Sequence, residues 1–148
     1  MDRVEQHSDD QRWDGPSLRV CIPPSPRYGK SVRDEVILFA NRYNIARCEL
    51  DEFIFALGEA LANAIEHSGS AEAIEICCRI EDDRIVASVT DSGKGFIIQT
   101  VPKTKLPDEF AERGRGLPIM ERCSDIFAVR SIPGKGTAVV VGRYLRIR

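Results

Sequence analysis

At residue 73 the hydrophobic period of this chain changes, and no other feature restricts its possible folds as much. Upstream, Val32, Val36, Phe39, Ala40 and Tyr43 recur at helical spacing within 27–43. Ile54, Leu57, Leu61, Ala64 and Ile65 then make one apolar stripe within 49–67. Downstream, Ile74, Ile76, Cys78 and Ile80 alternate, the period of a half-buried strand. "EDDR" (81–84) turns the chain and 84–90 returns it, so 73–90 reads as a hairpin. "IFAVRSI" (126–132), the turn "PGKG" (133–136) and "TAVVVGRYLRI" (137–147) read as a second one. A short strand, "SLRVCIP" (17–23), leads and is stopped by Pro23, Pro24 and Pro26. "HSGS" (67–70) ends the second helix, with Gly69 as its cap. A short helix is expected at 117–124. Hairpins joined to helices in this order predict an α+β fold, a two-layer α/β sandwich. Its helices lie on one face of a mainly antiparallel mixed sheet. Hairpin-connected pairs argue against a doubly wound parallel sheet.

A chain of 148 residues is most simply one domain with one substantial core. Residues 1–16 are polar and close on Gly15-Pro16, the expected flexible leader to a domain over 17–148. A net charge of −2 gives no overall basic signature for nucleic acid. No apolar run is long enough to cross a bilayer, and the acidic N-terminus is no signal peptide. The expected location is therefore the cytoplasm. Five cysteines, Cys21, Cys48, Cys77, Cys78 and Cys123, form no regular framework. We read them as buried free thiols.

Four stretches carry chemistry. In "GEALANAIEH" (58–67), Glu59 and Asn63 are four apart and share a helix face turned away from the apolar stripe. An Asn carbonyl suits magnesium beside phosphates, and a carboxylate one turn away can take a proton from a hydroxyl. The same residues also fit a solvated helix face. In "VTDSGKGF" (89–96), a strand stops on Asp91, which can accept from an exocyclic amine. Gly93 and Gly95 let the backbone approach a ligand, although an ordinary Asp-Ser-Gly turn has the same residues. In "ERGRGLPIMERCSD" (112–125), Gly114, Arg115 and Gly116 precede a helix start at Leu117-Pro118. Free N–H groups there suit a phosphate, or simply a helix cap. In "GKGTAVVV" (134–141), Thr137 opens a strand after a tight glycine connection. There is no GxxxxGK[ST] phosphate loop, because position 24 is Pro ahead of "YGKS" (28–31).

In order and combination these stretches resemble the nucleotide-binding fold shared by gyrase, Hsp90, histidine kinases and MutL, over roughly 18–147. Within it the chain looks most like the anti-sigma factor serine/threonine kinases of partner-switching systems. "GEALANAIEH" is similar to their Glu-x-x-x-Asn box, and "GRGLPIM" to their lid-end box. The resemblance leads us to expect no phosphoacceptor or dimerisation helix ahead of the domain, unlike an ordinary histidine kinase.

The resemblance implies the Bergerat-type ATPase fold and an enzyme using ATP and Mg2+ to phosphorylate a partner. Glu59 is then the general base and Asn63 holds magnesium. Asp91 binds the adenine amine, with Thr137 near the base. Gly93, Gly95, Gly114, Arg115, Gly116 and Leu117 line the nucleotide. The segment 97–113, between two glycine boxes, is expected to be an ATP lid. The implied partners are a STAS-type antagonist as substrate and a sigma factor or other regulator, without direct contact to nucleic acid or membrane. A homodimer would use the first strand and helix, and "PPSPRYGK" (23–30) is a candidate contact. Two rival readings remain at this stage: a module that sequesters its partner without transfer, and an ATPase or detached module that phosphorylates histidine.

Overall fold

The computed structural model describes residues 15–67, 69, 72–93, 120–132 and 134–145. Strand β1 (Ser17–Ile22) leads through a turn of 3-10 helix (Pro26–Tyr28) into α1 (Gly29–Arg42) and α2 (Arg47–His67). The strands β2 (Ile74–Glu81), β3 (Arg84–Asp91), β4 (Ile126–Ile132) and β5 (Gly136–Tyr144) follow. Of the expected helix at 117–124, residues 120–122 are helical, and 117–119 lie outside the described residues. The leader 1–14 and the segment 97–113 lie outside them too.

The strands form one sheet in the order β1-β2-β3-β5-β4, and all four pairings are antiparallel. The sheet was expected to be mainly antiparallel and mixed; no parallel pair occurs among the described strands. Alternation sends Ile74, Ile76, Cys78, Ile85, Ala87, Val89, Val139 and Val141 into the core. There they meet Leu50, Phe53, Leu57, Leu61 and Ala64 of α2, which lies over β3 and β5. α1 packs beside α2 through Val32, Val36, Phe39 and Ala40. Tyr43, read as part of that stripe, is instead 47% exposed. It falls past the end of α1, where Asn44 takes φ 67. Ile45 N–H donates to Ala40 O and Asn44 N–H to Asn41 O, a Schellman cap with Asn44 in the left-handed position. No helix among the described residues is long and apolar enough to cross a membrane.

The thiols correct one expectation. All five cysteines are free, but only Cys78 is buried; Cys21 and Cys48 are exposed, Cys77 and Cys123 intermediate. Strand alternation explains the adjacent pair, since Cys77 and Cys78 face opposite sides of β2. Burial pushes the Cys78 thiol up to about 12, so it stays a protonated hydrophobe.

One backbone contact fixes how the central strands end. Gly136 has φ 120, a region L side chains avoid. A Cβ there would overlap the Asp91 carbonyl oxygen and come within 2.9 Å of Ser92 Cα. Only glycine lets β5 start this close to the end of β3.

Two stability outcomes follow from this packing. Leu57→Ala, at a fully buried site, should lower unfolding free energy by about 2–5 kcal/mol, whereas Leu38→Ala, at an exposed one, should change it by about 0.5 kcal/mol or less. Equal losses in urea melts would contradict the placement of α2. Gly136→Ala should destabilise by at least about 1–3 kcal/mol, since the clash with Asp91 O adds to the backbone strain. An unchanged urea midpoint would show that the approach of β5 to Asp91 is not tight.

Candidate nucleotide site

Asp91 ends β3 and is 8% exposed, the one buried charged side chain among the described residues. Its Oδ1 accepts the Gly93 N–H at 2.8 Å. The Thr137 backbone N–H also donates to the carboxylate. Burial raises the Asp91 carboxyl above the ordinary carboxylate range, and these two donors pull it partly back. A carboxylate has about four lone-pair sites. Two backbone donors leave acceptor capacity for one more donor, such as an exocyclic amine. A buried charge kept with spare acceptor capacity marks a functional position more often than a structural one.

The pairing register builds the rest of this end of the sheet. Asp91 lies opposite Thr137, and Thr137 lies opposite Ser131. The Thr137 and Ser131 hydroxyls are 2.9 Å apart, and Ser131 also donates to Gly136 O at 3.4 Å. Ser131 and Gly136 therefore join the site, although their motifs did not single them out as ligand-facing. The signal for Ser131 was its register against Thr137, which needs the β4–β5 turn to be placed first. Gly93 is buried where the chain leaves β3.

α2 sets the opposite wall. Glu59 and Asn63 are both half-buried and lie off the core stripe. The level of the helix is marked by Arg143, whose guanidinium pairs with Glu52 of α2 at 2.9 Å. The same guanidinium reaches Asp125 at 3.7 Å and donates to Cys123 O at 3.4 Å. From Glu52, Asn63 lies about 16 Å further along the helix axis. From Arg143, Thr137 lies about 20 Å back along β5. With α2 packed along β3 and β5, its C-terminal half reaches the level of Asp91 and Thr137. Glu59, Asn63, Asp91, Gly93 and Thr137 thus belong to one end of the sandwich. Gly95, Gly114, Arg115, Gly116 and Leu117 lie outside the described residues.

This donor set fits a nucleotide. A buried acceptor at the end of β3, with Gly93 beside it and a helix carrying a carboxylate and an amide in the layer above, suits a purine and its phosphates. Asn63 supplies an oxygen of the kind that binds a hard divalent cation.

Comparison with known proteins agrees with this reading. A model of the histidine kinase-like ATPase domain matches residues 22–142. An anti-sigma F factor of Clostridium acetobutylicum is 31% identical over 116 residues, covering 74% of this chain and 80% of that protein. A serine-protein kinase RsbW of Bacillus velezensis is 27% identical over 138 residues, covering 86% and 85%. The solved structure of the RsbU and RsbW domains of a Mycobacterium tuberculosis protein superposes with a TM-score of 0.68 at 18% identity. That match covers 89% of this chain and 33% of the larger one, and supports the fold. On the extent of these matches, the chain belongs to the histidine kinase-like ATPase domain family.

Proposed function

We propose that this protein is an ATP-dependent protein serine/threonine kinase that phosphorylates an anti-sigma factor antagonist and restrains a sigma factor in a partner-switching system. The observation that carries it is the Glu59–Asn63 pair on α2, level with the sheet end that holds Asp91. The names of the relatives, anti-sigma F factor and serine-protein kinase RsbW, point the same way. The partner is proposed to be of STAS type, and the place of action the cytoplasm.

Each residue has a defined task in this reading. Asp91 accepts the adenine amine, and Thr137, tethered by Ser131, fixes the edge of the base. Gly93 keeps the exit from β3 low enough for the ring to lie against backbone. Asn63 holds magnesium, which when bound offsets charge on the phosphate oxygens. Glu59 accepts the proton of the partner's hydroxyl as that oxygen bonds to the γ-phosphorus. The bond from the γ-phosphorus to the β–γ bridging oxygen breaks, and ADP leaves. Gly95, Gly114, Arg115, Gly116 and Leu117 are proposed to close over the phosphates.

The decisive assay incubates the protein with Mg-ATP and each antagonist-like protein of its own cell, then reads intact mass. One added phosphate on a partner serine or threonine is expected. Glu59→Gln should slow transfer about 10²–10⁴-fold while ATP still binds. Binding of ATP and partner with no transfer would instead make the chain a sequestering module. An acid-labile product would indicate histidine phosphorylation.

Asp91→Asn separates stability from function. A carboxyl whose folded pKa is raised lends stability fully only below its unfolded value, and loses it as pH rises through the folded one. Ionised Asp91 therefore weakens the empty fold at neutral pH. The variant should melt no lower than wild type without nucleotide, yet bind ATP about 10–100-fold more weakly. Unchanged ATP affinity by calorimetry would remove Asp91 from the site.

A further inference from the structure

The core-side face of the sheet changes character at the end that carries Asp91. One row across β3, β5 and β4 is Val89, Val139 and Val129, paired in register and packed in or against the core. Two residues further along each strand, on the same face, the row is Asp91, Thr137 and Ser131, again paired in register. Apolar side chains give way on all three strands at once to a carboxylate and two hydroxyls. On β4 this face reads Phe127, Val129, Ser131, so the serine sits where the pattern of the strand calls for another apolar residue.

The hydrogen bonds within this row run in one direction. A hydroxyl has one hydrogen and two lone pairs. The Ser131 hydroxyl donates to Gly136 O at 3.4 Å. The 2.9 Å contact between the Ser131 and Thr137 hydroxyls is then made by the Thr137 hydrogen. Thr137 Oγ1 is left with lone pairs to offer. Beside it, the Asp91 carboxylate accepts from two backbone N–H groups and keeps further acceptor capacity. The edge that faces a base is therefore two acceptors side by side. Directly opposite side chains start about 4.5–5.5 Å apart. Two acceptors that flank one amine, each about 2.9 Å from its nitrogen, also stand about 5 Å apart. This spacing suits an exocyclic amine that gives one hydrogen to each.

We propose that Ser131 is a positioning residue for base selection: by taking the Thr137 hydrogen it makes this edge accept only, so that a 6-amino purine is held and a 6-oxo purine is rejected. The inference rests on the ATP-binding reading above and names what enforces the choice of base. A 6-oxo group set between two acceptors meets no donor, and the acceptors lose their partner as well. Ser131 acts through Thr137 rather than on the base. Without the serine oxygen, Thr137 can turn its hydrogen outward and donate it to a 6-oxo group.

The test measures binding to the full chain by calorimetry, with Mg-ATP and with the magnesium complex of inosine triphosphate. The two nucleotides differ only in the 6-amino or 6-oxo group and the ring proton that accompanies the latter. Wild type should bind ATP at least about 100-fold more tightly. Ser131→Ala should narrow that ratio about tenfold, chiefly by strengthening the inosine nucleotide, with ATP affinity within about threefold of wild type. Ser131→Thr keeps the hydroxyl and should keep the wild-type ratio. Thr137→Val should narrow the ratio too, and adding Ser131→Ala to it should change the ratio no further. If Ser131→Ala melts too low to assay, Ser131→Cys keeps the volume with only a weak hydrogen-bonding group and should narrow the ratio likewise. An unchanged ratio overturns the proposal. So does an equal loss of both nucleotides, the mark of a serine that only holds the β4–β5 turn together. These ratios report binding, and they read the same whether or not phosphate is transferred. Wild type that prefers ATP, with no effect of Ser131 on that preference, fails the inference and leaves the nucleotide site standing. Wild type that binds neither nucleotide fails both.

Discussion

Burial of one side of α2 against β3 and β5 is the contact from which the other features follow. Phe53, Leu57, Leu61 and Ala64 are nearly or fully withdrawn from water against Ile85, Ala87, Val89, Val139 and Val141. Each of the larger side chains contributes roughly 1.5–3 kcal/mol relative to an exposed one, and each alanine methyl about 0.8 kcal/mol. A helix held that firmly cannot rotate without moving apolar surface into water. Its remaining residues are thereby fixed in direction. Glu59 and Asn63 gain their positions from the buried leucines beside them, and the Arg143–Glu52 pair adds a surface contact between α2 and β5.

Periodicity made much of this legible. The stripe through Leu57 and Leu61 and the alternation from Ile74 to Ile80 are direct imprints of burial, so helix and strand could be told apart before any contact was known. The end of β3 at Asp91 was legible for another reason: a carboxylate ahead of Ser-Gly closes an apolar strand, whether as a turn or as a ligand acceptor. Ser131 was hidden, because inside "IFAVRSI" a serine has the look of strand alternation until register pairs it with Thr137. Asn44 was hidden too, since a left-handed asparagine is indistinguishable in sequence from a polar loop residue. Four of the cysteines were misjudged because burial of a small thiol depends on which face of which strand or helix it occupies, and composition carries no such information.

Asp91 shows what the site asks of the fold. A carboxylate placed beside the core is opposed by desolvation, and two backbone N–H donors offset only part of that. Those donors come from Gly93 and Thr137, on segments that meet because Gly136 lacks a side chain. The close approach of β5 to β3 thus serves two ends: it completes the sheet and it solvates a buried charge with backbone. The glycine requirement at position 136 and the unfavourable burial of Asp91 thus fall in one small region.

The geometry of α2 also sets what each of its outward directions can present. A helix offers three directions once its core stripe is buried: two flanks and an outward ridge. Here one flank carries Asn63, the ridge carries Glu59, and the other flank borders a groove with the cation Arg33.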